Sequence, residues 1–277
     1  MANFETTDGL TLFYQDSGGS GLPILCLSGL TRNSADFSYL DGQLTGVRLI
    51  KMDYRGRGKS DWARDFTTYS ILRETQDALE LMDHLGIDRF ALLGTSRGGL
   101  IAMTMGAMAM QRLIGVGFND IGPELEIGGL TAIMGYLGRA PIWKTYAEAA
   151  AARPSVMAGF ANVPDSRWRE EVEKLHHQTP KGLINTYDPK LRDAVEAASL
   201  QDVPDLWPFF AAFSNMPVAM LRGANSDLLS AEVFEKMQQT LPQAHAGTVA
   251  DRGHIPFLDE PEALVTLKAW VKEMTDD

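Results

Sequence analysis

The sequence predicts an α/β protein in which helices cover both faces of a mostly parallel β-sheet. Short apolar runs alternate with helical segments over the first 120 or so residues, and this alternation resumes near residue 215. Such spacing is typical of strand–helix–strand units, whose parallel strands are buried on both faces. A chain of 277 residues with 45% hydrophobic residues is long enough for one such domain with an insertion.

The first part of the chain predicts five strands and three helices. Each strand is a short apolar run, and the helices follow a period close to 3.6 residues, with Gly86 as a stop signal. The predicted strands are Leu10–Gln15, Ile24–Leu27, Leu49–Asp53, Phe90–Leu93 and Leu113–Phe118. The predicted helices are Ser34–Leu44, capped by Asn33 or Ser34, then Tyr69–Leu85 and Gly99–Met110.

The middle of the chain, residues 123–214, contains no convincing strand. Its helical patches include Arg167–His177 and Pro189–Ser199, and aromatic residues recur along it. We expect this segment to be an all-helical cap over the carboxyl edge of a sheet built by residues 1–122 and 215–277. In the last part, the predicted elements are strand Pro217–Arg222, helix Ala231–Leu241, strand His245–Val249 and helix Pro261–Met274.

Charge and cysteine content narrow the expected partners and compartment. With 25 basic and 36 acidic residues, the net charge of −11 disfavours nucleic acid and anionic membrane surfaces. The single cysteine, Cys26, excludes an internal disulfide and is expected to be a packed side chain. The amino-terminal residues lack the basic and apolar zones of a signal peptide, and no stretch has membrane-spanning length. We therefore expect a cytoplasmic protein.

The stretch Gly94-Thr95-Ser96-Arg97-Gly98 has the pattern G-x-S-x-G between a predicted strand and a predicted helix. So tight a turn forces the serine into a strained backbone conformation, and the glycines keep neighbouring side chains away. The hydroxyl of Ser96 then stands at the carboxyl edge of the sheet. This context predicts that Ser96 is a nucleophile.

A serine nucleophile needs a general base, and the base needs an acid that orients it. Among five histidines, His254 follows the last predicted strand in a glycine-hinged loop, so we expect it to be the base. His176 and His177 fall at the end of a predicted cap helix. For the acid we favour Asp227, in the loop after strand Pro217–Arg222. Asp120, directly after strand Leu113–Phe118, is the alternative.

Attack on a carbonyl creates an oxyanion, which needs two preorganised N–H donors. We expect the backbone N–H of Arg97, the residue after the nucleophile, to be one donor. The other is expected from the loop after strand Ile24–Leu27, where Leu30 follows Gly29.

Together these segments resemble the α/β-hydrolase superfamily, and specifically its capped, cofactor-independent serine hydrolases. The resemblance spans the chain outside the cap. It rests on Ser28-Gly29-Leu30, Asp53-Tyr54-Arg55-Gly56-Arg57-Gly58-Lys59-Ser60, Gly94-Thr95-Ser96-Arg97-Gly98, Gly223-Ala224-Asn225-Ser226-Asp227 and Gly253-His254. It implies an α/β-hydrolase fold with an eight-stranded sheet, a helical cap inserted after strand 6, and a Ser–Asp–His triad in that chain order. It implies neither a cofactor nor a metal.

One departure from the family pattern is the charged residue after the nucleophile. Relatives often carry an uncharged residue where this chain has Arg97. We expect its guanidinium to brace the loop through an acidic neighbour, and the alternative is contact with an anionic group of the substrate.

The expected function is hydrolysis of a small, largely apolar carboxylic ester or lactone through an acyl-enzyme. Abundant aromatic and methionine residues in the cap favour an apolar substrate. Two alternatives remain open at this point. The same triad could cleave a C–C bond or carry out cofactor-free perhydrolysis. The chain could also be a non-catalytic ligand-binding protein on a hydrolase scaffold, because a fold does not guarantee activity.

Overall fold

The computed structural model describes residues 1–201 and 204–276, and its centre is an eight-stranded sheet. Within these residues the strands are β1 (Ala2–Glu5), β2 (Thr11–Asp16), β3 (Leu22–Leu27), β4 (Val47–Met52), β5 (Phe90–Thr95), β6 (Leu113–Asn119), β7 (His176–Thr179), β8 (Gly182–Asn185), β9 (Val218–Gly223) and β10 (His245–Val249). The main sheet has the order β1-β2-β4-β3-β5-β6-β9-β10. Within this main sheet only the β1–β2 and β2–β4 pairs are antiparallel, so the α/β-hydrolase fold predicted from the sequence is confirmed.

Helices connect consecutive strands from β3 onward, apart from the β7–β8 pair. The α-helices in the described part of the chain are α1 (Ile71–His84), α2 (Arg97–Ala109), α3 (Ile127–Tyr136), α4 (Tyr146–Val156), α5 (Asp165–Leu175), α6 (Leu191–Ser199), α7 (Trp207–Ala211), α8 (Ala231–Thr240) and α9 (Pro261–Thr275). Short 3-10 helices occur at Ser34–Leu40, Phe66–Thr68, Met110–Arg112 and Ala212–Asn215.

Local sequence signals account for several of these boundaries. The Ser70 hydroxyl accepts a hydrogen bond from the N–H of Arg73 and caps α1, which ends just before Gly86 at φ +66°. The Asn33 side chain caps the 3-10 helix Ser34–Leu40 in the same way. The predicted helices at these two places therefore exist, although the second is a 3-10 helix.

The sheet has a separate hydrophobic core on each face. Along β5, Phe90 and Leu92 belong to one cluster, which includes residues of α1 and α2, whereas Ala91 and Leu93 belong to the other, which includes residues of α9. Alternate residues of a strand point to opposite faces, so helices must cover both sides. Cys26, in the second cluster, is fully buried as predicted, and burial raises the pKa of its thiol to about 12.

The prediction of an all-helical insertion was wrong in one place. The antiparallel strands β7 and β8 form a hairpin within it, and His176 and His177 lie on β7 instead of on a helix. The hairpin was missed because β7 is His-His-Gln-Thr, which has neither apolar alternation nor β-branched residues before its last position. Strand β1 was missed for a similar reason, since only Phe4 of its residues is buried.

The division into a core and a cap stays a prediction. One helix, α7, lies close to the predicted boundary between residues 214 and 215. Helix α7 lies within residues 123–214, yet its Phe210 packs on Phe118 of β6, and Phe213 just beyond it does the same. Both phenylalanines are fully buried in the core cluster that contains residues of α2. This part of the predicted cap therefore packs with the sheet. No helix in the described ranges is long and apolar enough to cross a membrane.

Trp270 should be among the residues on which stability depends most. Its ring is fully buried between α9 and the sheet, and its indole N–H donates to the carbonyl oxygen of Pro217 at 3.1 Å. We expect Trp270→Ala to lower the free energy of unfolding by about 3–5 kcal/mol, because it leaves a large cavity. Val265→Ala, at an exposed site of the same helix, is the control and should change it by less than about 0.5 kcal/mol. Chemical denaturation measures both, and equal effects would contradict this packing.

Candidate active site

The turn between β5 and α2 holds Ser96 in a strained conformation, as the G-x-S-x-G pattern predicts. Ser96 has φ +50° and ψ −114°, a combination that non-glycine residues rarely adopt and that costs about 1–3 kcal/mol. The two flanking glycines are needed because other backbone atoms lie too close to them to leave room for a side chain. A Cβ on Gly98 would stand 2.1 Å from the carbonyl oxygen of Leu27, and one on Gly94 would stand 2.4 Å from Gly98.

His254 joins Ser96 to Asp120. Its Nε2 lies 2.9 Å from Ser96 Oγ, and its Nδ1 lies 2.7 Å from Asp120 Oδ2. A carboxylate can only accept, so Nδ1 carries the N–H that donates to Asp120. This leaves Nε2 with a lone pair that can accept the proton of the Ser96 hydroxyl, the arrangement that a general base requires.

Three loops at the carboxyl edge of the sheet supply these groups. Ser96 follows β5, Asp120 follows the neighbouring strand β6, and His254 lies in the loop after β10. The Asn119 side chain links these loops, because its amide nitrogen lies 3.2 Å from Thr95 Oγ1 and 3.3 Å from the carbonyl oxygen of Pro256. Parallel topology thus brings together residues that are far apart in the sequence.

The structure corrects the favoured choice of acid. Asp120 is fully buried, and its carboxylate also accepts hydrogen bonds from the N–H of Gly223 at 2.8 Å and the hydroxyl of Ser226 at 2.7 Å. Asp227 is exposed and makes no hydrogen bond to His254 in the part of the chain that the structure describes. The alternative weighed from the sequence, Asp120, therefore occupies the position beside the histidine.

The reason lies in the loop after β9. The hydroxyl of Ser226 accepts hydrogen bonds from the N–H groups of Leu228 and Leu229, at 3.3 and 3.1 Å. This small turn directs Ser226 toward Asp120 and leaves Asp227 facing the cavity and the solvent. The sequence spacing of Asp227 fits an acid after β9, but it contains no signal for the direction in which the side chain points.

The predicted oxyanion donors are the N–H groups of Arg97 and Leu30. In each of these two peptide groups, the carbonyl oxygen accepts a backbone hydrogen bond that fixes the orientation of the peptide. The Ser96 carbonyl, in the same peptide as the Arg97 N–H, accepts from the N–H of Gly99 at 2.8 Å. The Gly29 carbonyl, in the same peptide as the Leu30 N–H, accepts from the N–H of Arg32 at 3.1 Å. Because the N–H of a trans peptide points away from its carbonyl, both donor directions are fixed before any substrate arrives.

The Arg97 side chain braces the turn and is not among the residues that line the cavity, which agrees with the first of the two roles weighed from the sequence. Its Nε donates to Glu74 at 2.6 Å, and Nη2 donates to the carbonyl oxygen of Tyr69 at 3.0 Å. Glu74 is fully buried and also pairs with Arg57. Burial alone would raise the pKa of Glu74, but Arg57 and Arg97 hold it below its usual value. The nucleophile turn therefore rests on a buried network of charged residues.

Ser96 and His254 open into a cavity of about 550 Å³, and many of its lining residues lie between residues 123 and 214. Its walls are largely apolar and aromatic, with side chains that include Tyr136, Trp143, Phe160, Trp168 and Phe257. This agrees with the aromatic content that the sequence shows between residues 123 and 214.

The cavity also contains charged residues that the sequence did not point to, among them Arg32, Arg153 and Glu171. Their positions on separate elements of the fold gave no common pattern. In the stretches 1–201 and 204–276, no three His, Cys, Asp or Glu side chains are grouped closely enough to hold a metal ion.

Comparison with known proteins agrees with the fold. Residues 24–267 match the model of the alpha/beta hydrolase family. The crystal structure of an alpha/beta hydrolase from Novosphingobium aromaticivorans superposes with a TM-score of 0.91 at 35% identity, covering 98% of this chain and 97% of that one.

Several curated relatives carry named activities, and two of them are described here. A 3-hydroxybutyrate-oligomer hydrolase from Cupriavidus necator is 30% identical over 90% of this chain and 88% of its own length. A 3-oxoadipate enol-lactonase from Acinetobacter baylyi is 23% identical over 94% and 92%, respectively. The chain belongs to the α/β-hydrolase family.

The contrast between the two aspartates can be measured directly. We expect Asp120→Asn to lower kcat on a reactive aryl ester by about 10³–10⁴, because the amide no longer stabilises the tautomer and charge that His254 needs. Asp227→Asn is the matched control, with the same chemical change on the exposed side of the neighbouring loop, and should stay within a few-fold of the wild-type protein. If Asp227→Asn instead lowered kcat much more than Asp120→Asn did, Asp227 would be the acid.

Proposed function

We propose that this protein is a serine hydrolase that cleaves a carboxylic ester or a lactone through an acyl-enzyme, with Ser96, His254 and Asp120 as its triad. The observation that carries the proposal is the hydrogen-bonded series from Ser96 Oγ through His254 to Asp120, at 2.9 and 2.7 Å. A ligand-binding protein would need neither this series nor the strained turn that holds the serine.

The first half of the reaction forms the acyl-enzyme. His254 Nε2 takes the proton of Ser96 as Oγ attacks the carbonyl carbon of the substrate. The N–H groups of Arg97 and Leu30 then donate to the oxyanion, and Asp120 stabilises the imidazolium through Nδ1. As the tetrahedral intermediate collapses, His254 returns the proton to the leaving alcohol, and the acyl group stays on Ser96.

In the second half, water replaces the alcohol. His254 removes a proton from the water, whose oxygen attacks the acyl carbon, and the same two N–H groups donate to the second oxyanion. Collapse releases the carboxylic acid, and His254 returns its proton to Ser96. A lactone follows the same steps, except that acid and alcohol leave as one molecule.

The relatives indicate which substrates to test first. Of the two relatives described above, one is named as a hydrolase of 3-hydroxybutyrate oligomers and the other as an enol-lactonase. The largely apolar cavity of about 550 Å³ suits short acyl and alcohol groups of this kind. We propose short oligoesters of hydroxy acids as the leading substrate class.

A fluorophosphonate probe tests the nucleophile. We expect one probe per chain, with the modified peptide containing Ser96, because the activated hydroxyl attacks phosphorus as it attacks a carbonyl. Ser96→Ala should lose both the label and at least about 10⁴-fold of ester turnover. Ser155→Ala, which removes an exposed hydroxyl on α4, should retain both. Labelling of Ser96→Ala at the wild-type rate would reject this nucleophile.

The same measurement separates an enzyme from a binding protein. A protein that only binds ligands should show no stoichiometric label at Ser96 and no turnover of any ester. Hydrolysis of 3-hydroxybutyrate dimer and trimer, followed by release of the monomer, tests the leading substrate class against a panel of lactones.

A further inference from the structure

Arg153 is a charged residue in the cavity that the proposed reaction does not use. It lies in the last turn of α4, is half-buried, and lines the cavity that contains Ser96 and His254. Its Nε is buried and has no hydrogen-bond partner among the described residues. Within residues 1–201 and 204–276, its Nη1 donates only to the Sδ of Met157 at 3.4 Å, and a thioether is a weak acceptor.

The neighbouring charges leave Arg153 uncompensated. Arg32 is committed to Asp36 and Glu171, at 2.5 Å in each case, and Lys174 lies 3.6 Å from Glu171. The two cations Arg32 and Lys174 are therefore balanced by the two carboxylates of Asp36 and Glu171.

The remaining carboxylate in the cavity, Asp227, does not change this result. It is exposed to solvent, and Arg153 forms no ion pair within the part of the chain that the structure describes. The cavity lining also includes Arg139, which is exposed to solvent like Asp227, so these two opposite charges offset each other. Arg153 thus remains as the surplus positive charge of the cavity, although the whole chain carries a net charge of −11.

A guanidinium in this position is costly to bury. Burial lowers the pKa of Arg153 and the nearby charge of Arg32 lowers it further, whereas the charge of Glu171 raises it without restoring the usual value. Arginine nevertheless stays protonated in proteins. An anion that entered the cavity would complete its hydrogen bonds and offset its charge, and a carboxylate matches the planar guanidinium with two parallel hydrogen bonds.

We infer that the substrate carries a carboxylate away from its scissile ester bond, and that Arg153 binds this carboxylate. The surplus of a single positive charge fits a monoanion better than a phosphate monoester, which carries close to two charges at neutral pH. This inference rests on the proposed function and narrows its substrate class to carboxylate-bearing esters. Arg153 is then the residue that determines this specificity.

Pairs of substrates that differ only in charge test the inference. For the acyl side, mono-(4-nitrophenyl) glutarate is compared with 4-nitrophenyl 5-oxohexanoate, in which a methyl ketone replaces the carboxylate. For the alcohol side, 3-acetoxybutanoate is compared with 3-acetoxybutanamide, with release of acetate as the measurement. In at least one pair, the wild-type protein should favour the anion about 10- to 100-fold in kcat/KM, as expected for a hydrogen-bonded charged group.

Arg153→Met should abolish that preference, because kcat/KM for the anionic ester should fall about 10- to 100-fold more than kcat/KM for the neutral ester. Arg153→Lys keeps the charge but not the paired donors, so it should lose less of the preference. Arg169→Met makes the same change of charge at an exposed position on α5, where Arg169 pairs with Glu173, and should keep the full preference.

Two results would overturn the inference. One is a wild-type protein that turns over both members of each pair equally well. The other is that kcat/KM of both Arg153 variants falls to the same extent for the anionic and the neutral ester. A merely structural role of Arg153 predicts that result. Failure of the proposed function looks different, because then neither member of either pair is hydrolysed and the fluorophosphonate does not label Ser96.

Discussion

The hydrogen bonds of His254 are the interaction on which the rest of this site depends. They join the loops after β5, β6 and β10, at a distance of 2.9 Å to Ser96 and 2.7 Å to Asp120. Because all three strands are parallel, their carboxyl ends lie at one edge of the sheet, and each loop needs only a few residues to bring its side chain there. The sheet order therefore decides which residues can meet.

Much of the surrounding structure keeps this edge rigid. Ser96 has a positive φ, as does Asp120 at +54°, so two of the three groups occupy backbone conformations that are unfavourable for most residues. Such conformations persist only where neighbouring contacts enforce them. Below Ser96, Arg97 pairs with the buried Glu74, and beside Asp120 the N–H of Gly223 and the hydroxyl of Ser226 hold the carboxylate. The fold stabilises the geometry of the site before a substrate binds.

The segment 123–214 forms much of the wall of the cavity at this edge. It supplies aromatic walls such as Trp143 and Phe160, which exclude water and favour apolar groups. It also supplies Arg153, whose guanidinium stands among these walls without a carboxylate partner in the described residues. A cavity that is apolar over most of its surface and positive at one place suits a molecule with a short apolar body and one anionic end. In the proposed reaction, residues outside 123–214 thus supply the chemistry, and the aromatic walls and Arg153 select the substrate.

The sequence by itself determined the fold class and the positions of Ser96 and His254 on the sheet edge, because hydrophobic periodicity and the glycine-flanked turn are local properties of the chain. It also offered both candidate acids, since each follows a strand. Only the tertiary structure decided between them, because the direction of a side chain depends on hydrogen bonds such as those of Ser226, which form when distant loops meet. The β7–β8 hairpin and the unpaired charge of Arg153 were likewise out of reach of the sequence, since both arise from contacts between segments and neither has a periodic pattern.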